Sequence, residues 1–320
     1  MLIGVLVGLA LLTLCLVVGL RMPTVGSDPF PDGPRADPAL LRSHVEQLST
    51  QVPPRNAENP KGIGLAADYI TLVLSRTRAV VSSQPYDAGR VSTRNIIARF
   101  GPEAGRRIVI GAHYDVFGDL PGADDNASGV AALLELARLL DARKLVSPIE
   151  IVAYSTEEPP WFGGPEMGSA VHARSIRNSG DPIAAMICLE MIGYFTPRQR
   201  YPVLPLYLVY PWKGDFVTIV GRWQDRRLAL RCKRSFRGAT DVRAVSYSCP
   251  VAFGGDLSDH RNYWAEDYPA VMVTDTAFWR NPNYHSPDDV PDTLDYGRMA
   301  GVVNGILAVV MHISGDGDLD

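Results

Sequence analysis

The stretch GAHYDVFGDLPGADDNASG, from Gly111 to Gly129, gathers one histidine and several aspartates between an apolar run and a helix-like pattern. Glu157, Glu158 and Glu190 also follow directly on apolar runs, and His285 stands near the C-terminus. Imidazole nitrogens and carboxylate oxygens collected in one place suit a divalent ion such as zinc. Each residue has a plainer reading when taken alone. Asp124 or Asp125 could cap the helix that begins near Ala127, the paired glutamates could be solvated loop charges, and His285 could be a surface histidine. Their joint placement after strand-like runs points to metal chemistry instead. A helix N-terminus beside Asp125 would also help keep that carboxylate ionised.

Such residues act together only if separate elements deliver them to one rim. Apolar, β-branched runs at 95–100, 108–111, 149–154, 185–189, 216–220 and 270–273 read as strands. Helical periodicity covers about 39–49, 62–76, 127–142, 166–178, 226–236 and 294–312. The alternation predicts an α/β sandwich with a mostly parallel sheet. Open sheets of that kind bind ligands just beyond the carboxyl ends of their strands. His113, Glu157, Glu158 and Glu190 stand there, and Asp125 follows through a glycine-containing loop.

At 320 residues and 46% hydrophobic content the chain can bury one large core. Its net charge of -4 comes from interspersed signs with no basic stripe, so nucleic acid is not an expected partner. Met1 to Leu20 carries no charged side chain and, at ~1.5 Å per residue, is long enough to cross a ~30 Å hydrocarbon layer. It reads as a transmembrane anchor, because the basic start, short apolar core and small-residue exit of a cleaved signal are missing. Residues 21–38, rich in Pro, Gly and Asp, read as an extended, solvated tether, with the folded domain expected over 39–320. The arrangement expected is a single-pass membrane protein whose catalytic domain lies outside the cytoplasm. Cys232 and Cys249 could pair in an oxidising compartment, with free thiols an equal alternative.

The motifs GAHYD, PGADDNASG, YSTEEPPWFG, LEMIGY, SDH and NPNYHSPDD, in order from about Ile96 to the C-terminus, resemble those of the M28 family of zinc aminopeptidases. The resemblance implies a three-layer α/β/α sandwich around a mixed sheet of parallel core strands, two zinc ions and a peptide substrate. By motif, His113 and Glu190 would bind one metal, Glu158 and His285 the other, and Asp125 would bridge them. Glu157 would be the general base, and Asp115 would hold the His113 imidazole in its tautomer. Three ligand carboxylates and a bridging hydroxide would balance two Zn²⁺ ions, and without metal some of the carboxylates should take up protons. The reaction implied is hydrolysis of a peptide bond, releasing N-terminal residues. Trp161, Phe162, Tyr194, Phe195, Tyr263, Trp264, Phe278 and Trp279 could wall an apolar pocket or serve as packing, and Asp259 and His260 stay outside the ligand set. Two other readings remain. Glutaminyl cyclases share the fold with a single zinc and commonly carry tryptophan before the last histidine, where Tyr284 stands here. A non-catalytic membrane-anchored binding ectodomain would be expected to lose ligands, and none is lost.

Overall fold

The apolar runs pair into one sheet of eight strands: β1 (Val80–Ala88), β2 (Val91–Phe100), β3 (Arg107–His113), β4 (Ile149–Tyr154), β5 (Ile183–Glu190), β6 (Phe216–Arg222), β7 (Arg243–Cys249) and β8 (Ala270–Thr274). This computed structural model describes residues 17–30, 33–52, 54–249 and 254–315, together with Gly8, Leu11, Leu14 and Cys15. The spatial order is β1-β2-β4-β3-β5-β8-β6-β7. Neighbours β4, β3, β5 and β8 run parallel, the β1–β2 hairpin joins β4 antiparallel, and the parallel pair β6–β7 joins β8 antiparallel. The parallel centre is buried on both faces, which is why its strands read as continuous apolar runs.

Eight helices accompany the sheet among the described residues: α1 (Pro38–Glu46), α2 (Pro60–Leu74), α3 (Gly129–Asp141), α4 (Gly168–Ser179), α5 (Leu204–Val209), α6 (Arg226–Arg237), α7 (His260–Ala265) and α8 (Tyr296–Gly315). Alternate strand residues divide between two cores. Ile108 and Ile110 pack with α1, α2, α3, α6 and α8, whereas Val109 joins α4 and α7 on the opposite face. Helices thus cover both faces of a mixed sheet.

Strand and helix boundaries agree with the periodicity to within a few residues. The pattern misses β1 and β7, and both are edge strands. β1 carries Pro85, which an edge tolerates because it lacks a donor, and its burial alternates between exposed and half-buried. Short α5 and α7 hold too few turns to show a period.

Most of the apolar run Met1–Leu20 lies outside the described residues. Among the described residues, one helix is long and apolar enough to cross a membrane, but it is α8, with 67% of its apolar window buried in the fold. The stretch after Arg21 is largely exposed, but it touches the domain at several points. Met22 is buried, and Phe30 packs on the larger core. Lys233 Nζ donates to the carbonyls of Arg21 and Met22 and to Ser246 Oγ; Asp28 pairs with Arg234 at 2.5 Å; Ala36 N–H donates to Asn304 Oδ1 at 2.9 Å. An extended chain cannot satisfy its own backbone groups, and basic α6 supplies the donors. Cys232 is a free, buried thiol on that helix, pushed up to about 12 by burial, and the Cys249 side chain lies outside the described residues.

His260 begins α7 fully buried, its ring edge-on to Trp264 at 4.4 Å and its Nε2 2.7 Å from the Gly255 carbonyl. Burial lowers its pKa to about 4. The unfolded chain therefore takes up this proton first as pH falls, and the neutral imidazole's contribution is lost from about pH 6.5 down to about 4. Denaturant titration should show that H260Q, which keeps a donor for Gly255, loses about 2 kcal/mol less stability than the parent chain between pH 7 and pH 5.

Candidate metal centre

Three parallel strands end at one rim. His113 closes β3, Glu190 closes β5, Glu157 and Glu158 follow β4, and the loop after β8 brings in His285. Asp125 comes from the wide turn Ala123–Ser128 that leads into α3. Gly122, just before it, has φ +57, and a Cβ there would lie 2.2 Å from the Asp125 carbonyl oxygen, so only glycine fits. Two side chains fix this turn from outside. Asp289 accepts the N–H groups of Asp124 (2.9 Å) and Asp125 (3.1 Å) on its two oxygens. Arg55, 1% exposed, donates to the carbonyls of Pro121 (2.7 Å) and Gly122 (2.5 Å), and more weakly to that of Asp125 (3.4 Å).

The rim residues meet. His113 Nε2 lies 3.4 Å from Asp125 Oδ1 and 3.4 Å from Glu190 Oε2, and His285 Nε2 lies 3.2 Å from both Asp125 Oδ2 and Glu158 Oε2. Donors bound at about 2.0–2.1 Å to one tetrahedral zinc stand about 3.3 Å apart, which matches these separations. Glu157 Oε2 is farther from His113 Nε2, at 3.9 Å. Three donor sets within 4.8 Å result: His113, Asp125 and Glu190; Asp125, Glu158 and His285; and an overlapping set of His113, Glu157 and Glu158. Glu158 Oε1 and His285 Nε2 are buried without a hydrogen-bond partner of good geometry, as expected of atoms shaped to hold an ion. The chemistry and spacing of the donors therefore fit a divalent metal.

A second tier positions the donors. Asp115 accepts the N–H groups of Glu157 (3.1 Å) and Glu158 (3.0 Å), and its Oδ1 lies 3.4 Å from His113 Nδ1. Ser258, in the SDH motif, donates to Glu190 Oε2 at 2.6 Å, and the next residue, Asp259, is fully buried. His285 sits at φ +52 between two rings, Tyr284 at 3.8 Å and Phe117 at 4.3 Å, both near parallel. Tyr284 packs on Phe278, and Phe278 on Trp279, so a partly exposed aromatic wall adjoins His285. Tyr263 and Trp264 are core packing. Arg55, Phe117 and Ser258 are contributors that residue spacing left without a role. Phe117 stands two residues beyond Asp115 and Ser258 opens the SDH motif, whereas Arg55 had no local signal.

Burial sets the electrostatics. It opposes ionisation of Asp125, but the hydrogen bonds and charges of His113 and His285 win and hold that carboxyl far below the usual range. Burial raises Glu158 to about 7, with the Asp125 charge adding to it, and burial raises Glu157 and Glu190 as well. Burial opposes protonation of His285, but the Asp125 and Glu158 carboxylates 3.2 Å from its Nε2 outweigh it and raise it to about 9. Without an ion, protons neutralise the cluster.

Residues 95–310 match the sequence profile of peptidase family M28. The chain is 43% identical over 296 residues to the Escherichia coli uncharacterized protein YfbL, covering 88% of this chain and 91% of that one. It is 30% identical to a probable leucine aminopeptidase of Arthroderma otae, covering 62% of this chain and 51% of the relative, so it spans about half the length of that protein. The Legionella pneumophila LapA aminopeptidase superposes with a TM-score of 0.72 at 21% identity, over 88% of this chain and 73% of LapA. The glutaminyl cyclase of Porphyromonas gingivalis superposes with a TM-score of 0.69 at 20% identity, over 87% of this chain and 99% of the cyclase. The mixed α/β fold is therefore one that an aminopeptidase and a glutaminyl cyclase share. The chain belongs to peptidase family M28.

Two outcomes follow. An ion must displace the protons on His285 and Glu158, so zinc uptake at pH 7 should release protons, and apparent affinity should rise between about pH 6 and 9. A pH-stat titration that detects no release would remove these groups from the donor set. Replacing Arg55 by Ala leaves buried carbonyls without donors and should cost about 2–4 kcal/mol in denaturant unfolding, with zinc content falling as the Asp125 turn loosens.

Proposed function

We propose that this chain is a zinc-dependent aminopeptidase that works with two ions. One observation carries the reading: two donor sets share a single carboxylate, Asp125, whose two oxygens face different imidazoles. His113, Asp125 and Glu190 would hold one ion, and Asp125, Glu158 and His285 the other. Bound zinc would supply Lewis acidity, acidifying water and polarising the scissile carbonyl. Glu157 is the proton carrier. Its carboxylate lies beyond ligand spacing from His113, is buried beside both sets, and sits where burial and the neighbouring Glu190 and Glu158 raise its proton affinity. It takes the proton of the attacking water and delivers it to the leaving amine. Asp115, by accepting both glutamate N–H groups, keeps base and ligand in register.

The relatives named leucine aminopeptidases support release of N-terminal residues, and the aromatic wall of Phe117, Phe278 and Tyr284 supports an apolar side chain beside His285. Cyclase chemistry is separated by assay: aminoacyl amides and N-terminal glutaminyl peptides are offered together, and free amino acids are expected as products. The uncharged run Met1–Leu20 supports a single-pass anchor with the catalytic domain outside the cytoplasm. Carbonate washing should then leave the protein in the membrane fraction, and protease added to intact cells should reach it. Recovery of a soluble chain would overturn the anchor.

Glu157→Gln keeps the shape but removes the proton acceptor, so kcat should fall ~10²–10⁴-fold with zinc content unchanged. Glu158→Gln should lose zinc and regain part of its activity at high zinc. Asp125→Ala should deplete both ions. Elemental analysis beside kcat decides: loss of zinc from Glu157→Gln and its retention in Glu158→Gln would reverse the two roles.

A further inference from the structure

The excursion between β5 and β6 contains an apolar patch that the site does not use. Thr196 and Gly214 pinch its base by exchanging two backbone hydrogen bonds (3.0 and 2.9 Å). Inside it, Tyr201 packs edge-on against Tyr207 at 5.0 Å and donates to the Pro211 carbonyl at 2.6 Å, and the Trp212 indole donates to the Tyr207 carbonyl at 2.6 Å. The loop is therefore braced, yet it turns three large apolar side chains outward. Leu204 is 82% exposed, Leu208 70% and Trp212 70%. Exposed apolar residues clustered on a braced loop mark a contact surface.

Two further observations identify what covers it. Met191 to Gly214 contains no acidic residue, and Arg198, Arg200 and Lys213 flank the patch on the surface. The first acidic residue beyond it, Asp215, faces Arg243 at 3.9 Å. The uncharged N-terminal run also ends here: Val17 packs with Tyr201 and Leu206 against Val209, and Arg21 donates to the Val209 carbonyl at 3.1 Å. Tryptophan, tyrosine and leucine with a basic fringe, placed where an apolar segment arrives, is the chemistry of a bilayer interface with anionic headgroups.

We propose that the Tyr201–Trp212 loop docks into the membrane surface beside the N-terminal run, with Leu204, Leu208 and Trp212 among the upper acyl chains. The placement rests on the anchor reading of Met1–Leu20, while the contact itself is measured separately. Full-length protein is reconstituted into vesicles of phosphatidylcholine and phosphatidylglycerol brominated near the headgroups, and tryptophan quenching is recorded for the parent chain, W212F and L204E/L208E. Lipid-dependent quenching is expected in the parent chain, and W212F should abolish most of it. L204E/L208E should lower it while hydrolysis of a soluble peptide continues at the parental rate, which shows that the fold survives. Equal quenching in the parent chain and W212F would overturn the proposal. So would a parent chain that shows no quenching but forms a dimer that L204E/L208E dissociates, since the patch would then be an interface between copies. Carbonate extraction of the same vesicles reports on the anchor: a chain that is extracted yet shows Trp212-dependent quenching loses the anchor and keeps the docking loop.

Discussion

Asp125 touches two imidazoles at once, and the rim is arranged around that double contact. Its carboxylate stays ionised only because His113 and His285 approach from either side, each also facing a glutamate. Removal from water disfavours every charge in this group, so each is tolerable only while its partners stay within a few ångströms. The positions of three strand ends and two loops are therefore coupled.

The coupling is made largely by acids outside the rim that hold backbone. Asp289 accepts the N–H groups of Asp124 and Asp125, Asp115 those of Glu157 and Glu158, Asp124 that of Gly193, and Asp275 those of Tyr194 and Ala277. Paired N–H groups aimed at one carboxylate fix peptide planes, not just distances. Asn281 extends the scheme by donating to Asp124, and it belongs to the same loop that presents His285. The geometry of the rim donors is thus set one layer behind them, by residues that share their charge type and differ in what they face.

Much of this was legible in the residues themselves. Strands buried on both faces announce themselves as unbroken apolar runs, and β3, β4 and β5 therefore gave away the rim. Edge strands β1 and β7 follow no such rule, because one side of each meets solvent or loops. The donors were legible because chemically distinctive side chains stand at strand ends. Arg55 was not, since a lone arginine in the proline-rich stretch PPRNAENP has no local pattern that distinguishes a buried clamp from a surface charge. Folding decides its role by carrying 66 residues of separation to a 2.7 Å hydrogen bond. Composition likewise called residues 21–38 extended but could not foresee that α6 would bind them, because the complementarity lies between segments distant in sequence.

That binding governs reach. A free stretch from Arg21 to Asp37, fully extended, would span about 55 Å and let the domain tumble at its end. Lys233, Arg234 and Asn304 instead hold it at Arg21, Asp28 and Ala36, which keeps those points against the domain. Whatever holds Arg21 therefore holds the β7 edge of the sheet as well, and the rim keeps a fixed bearing to that support instead of sampling every direction. Substrates would be met at one height and one angle.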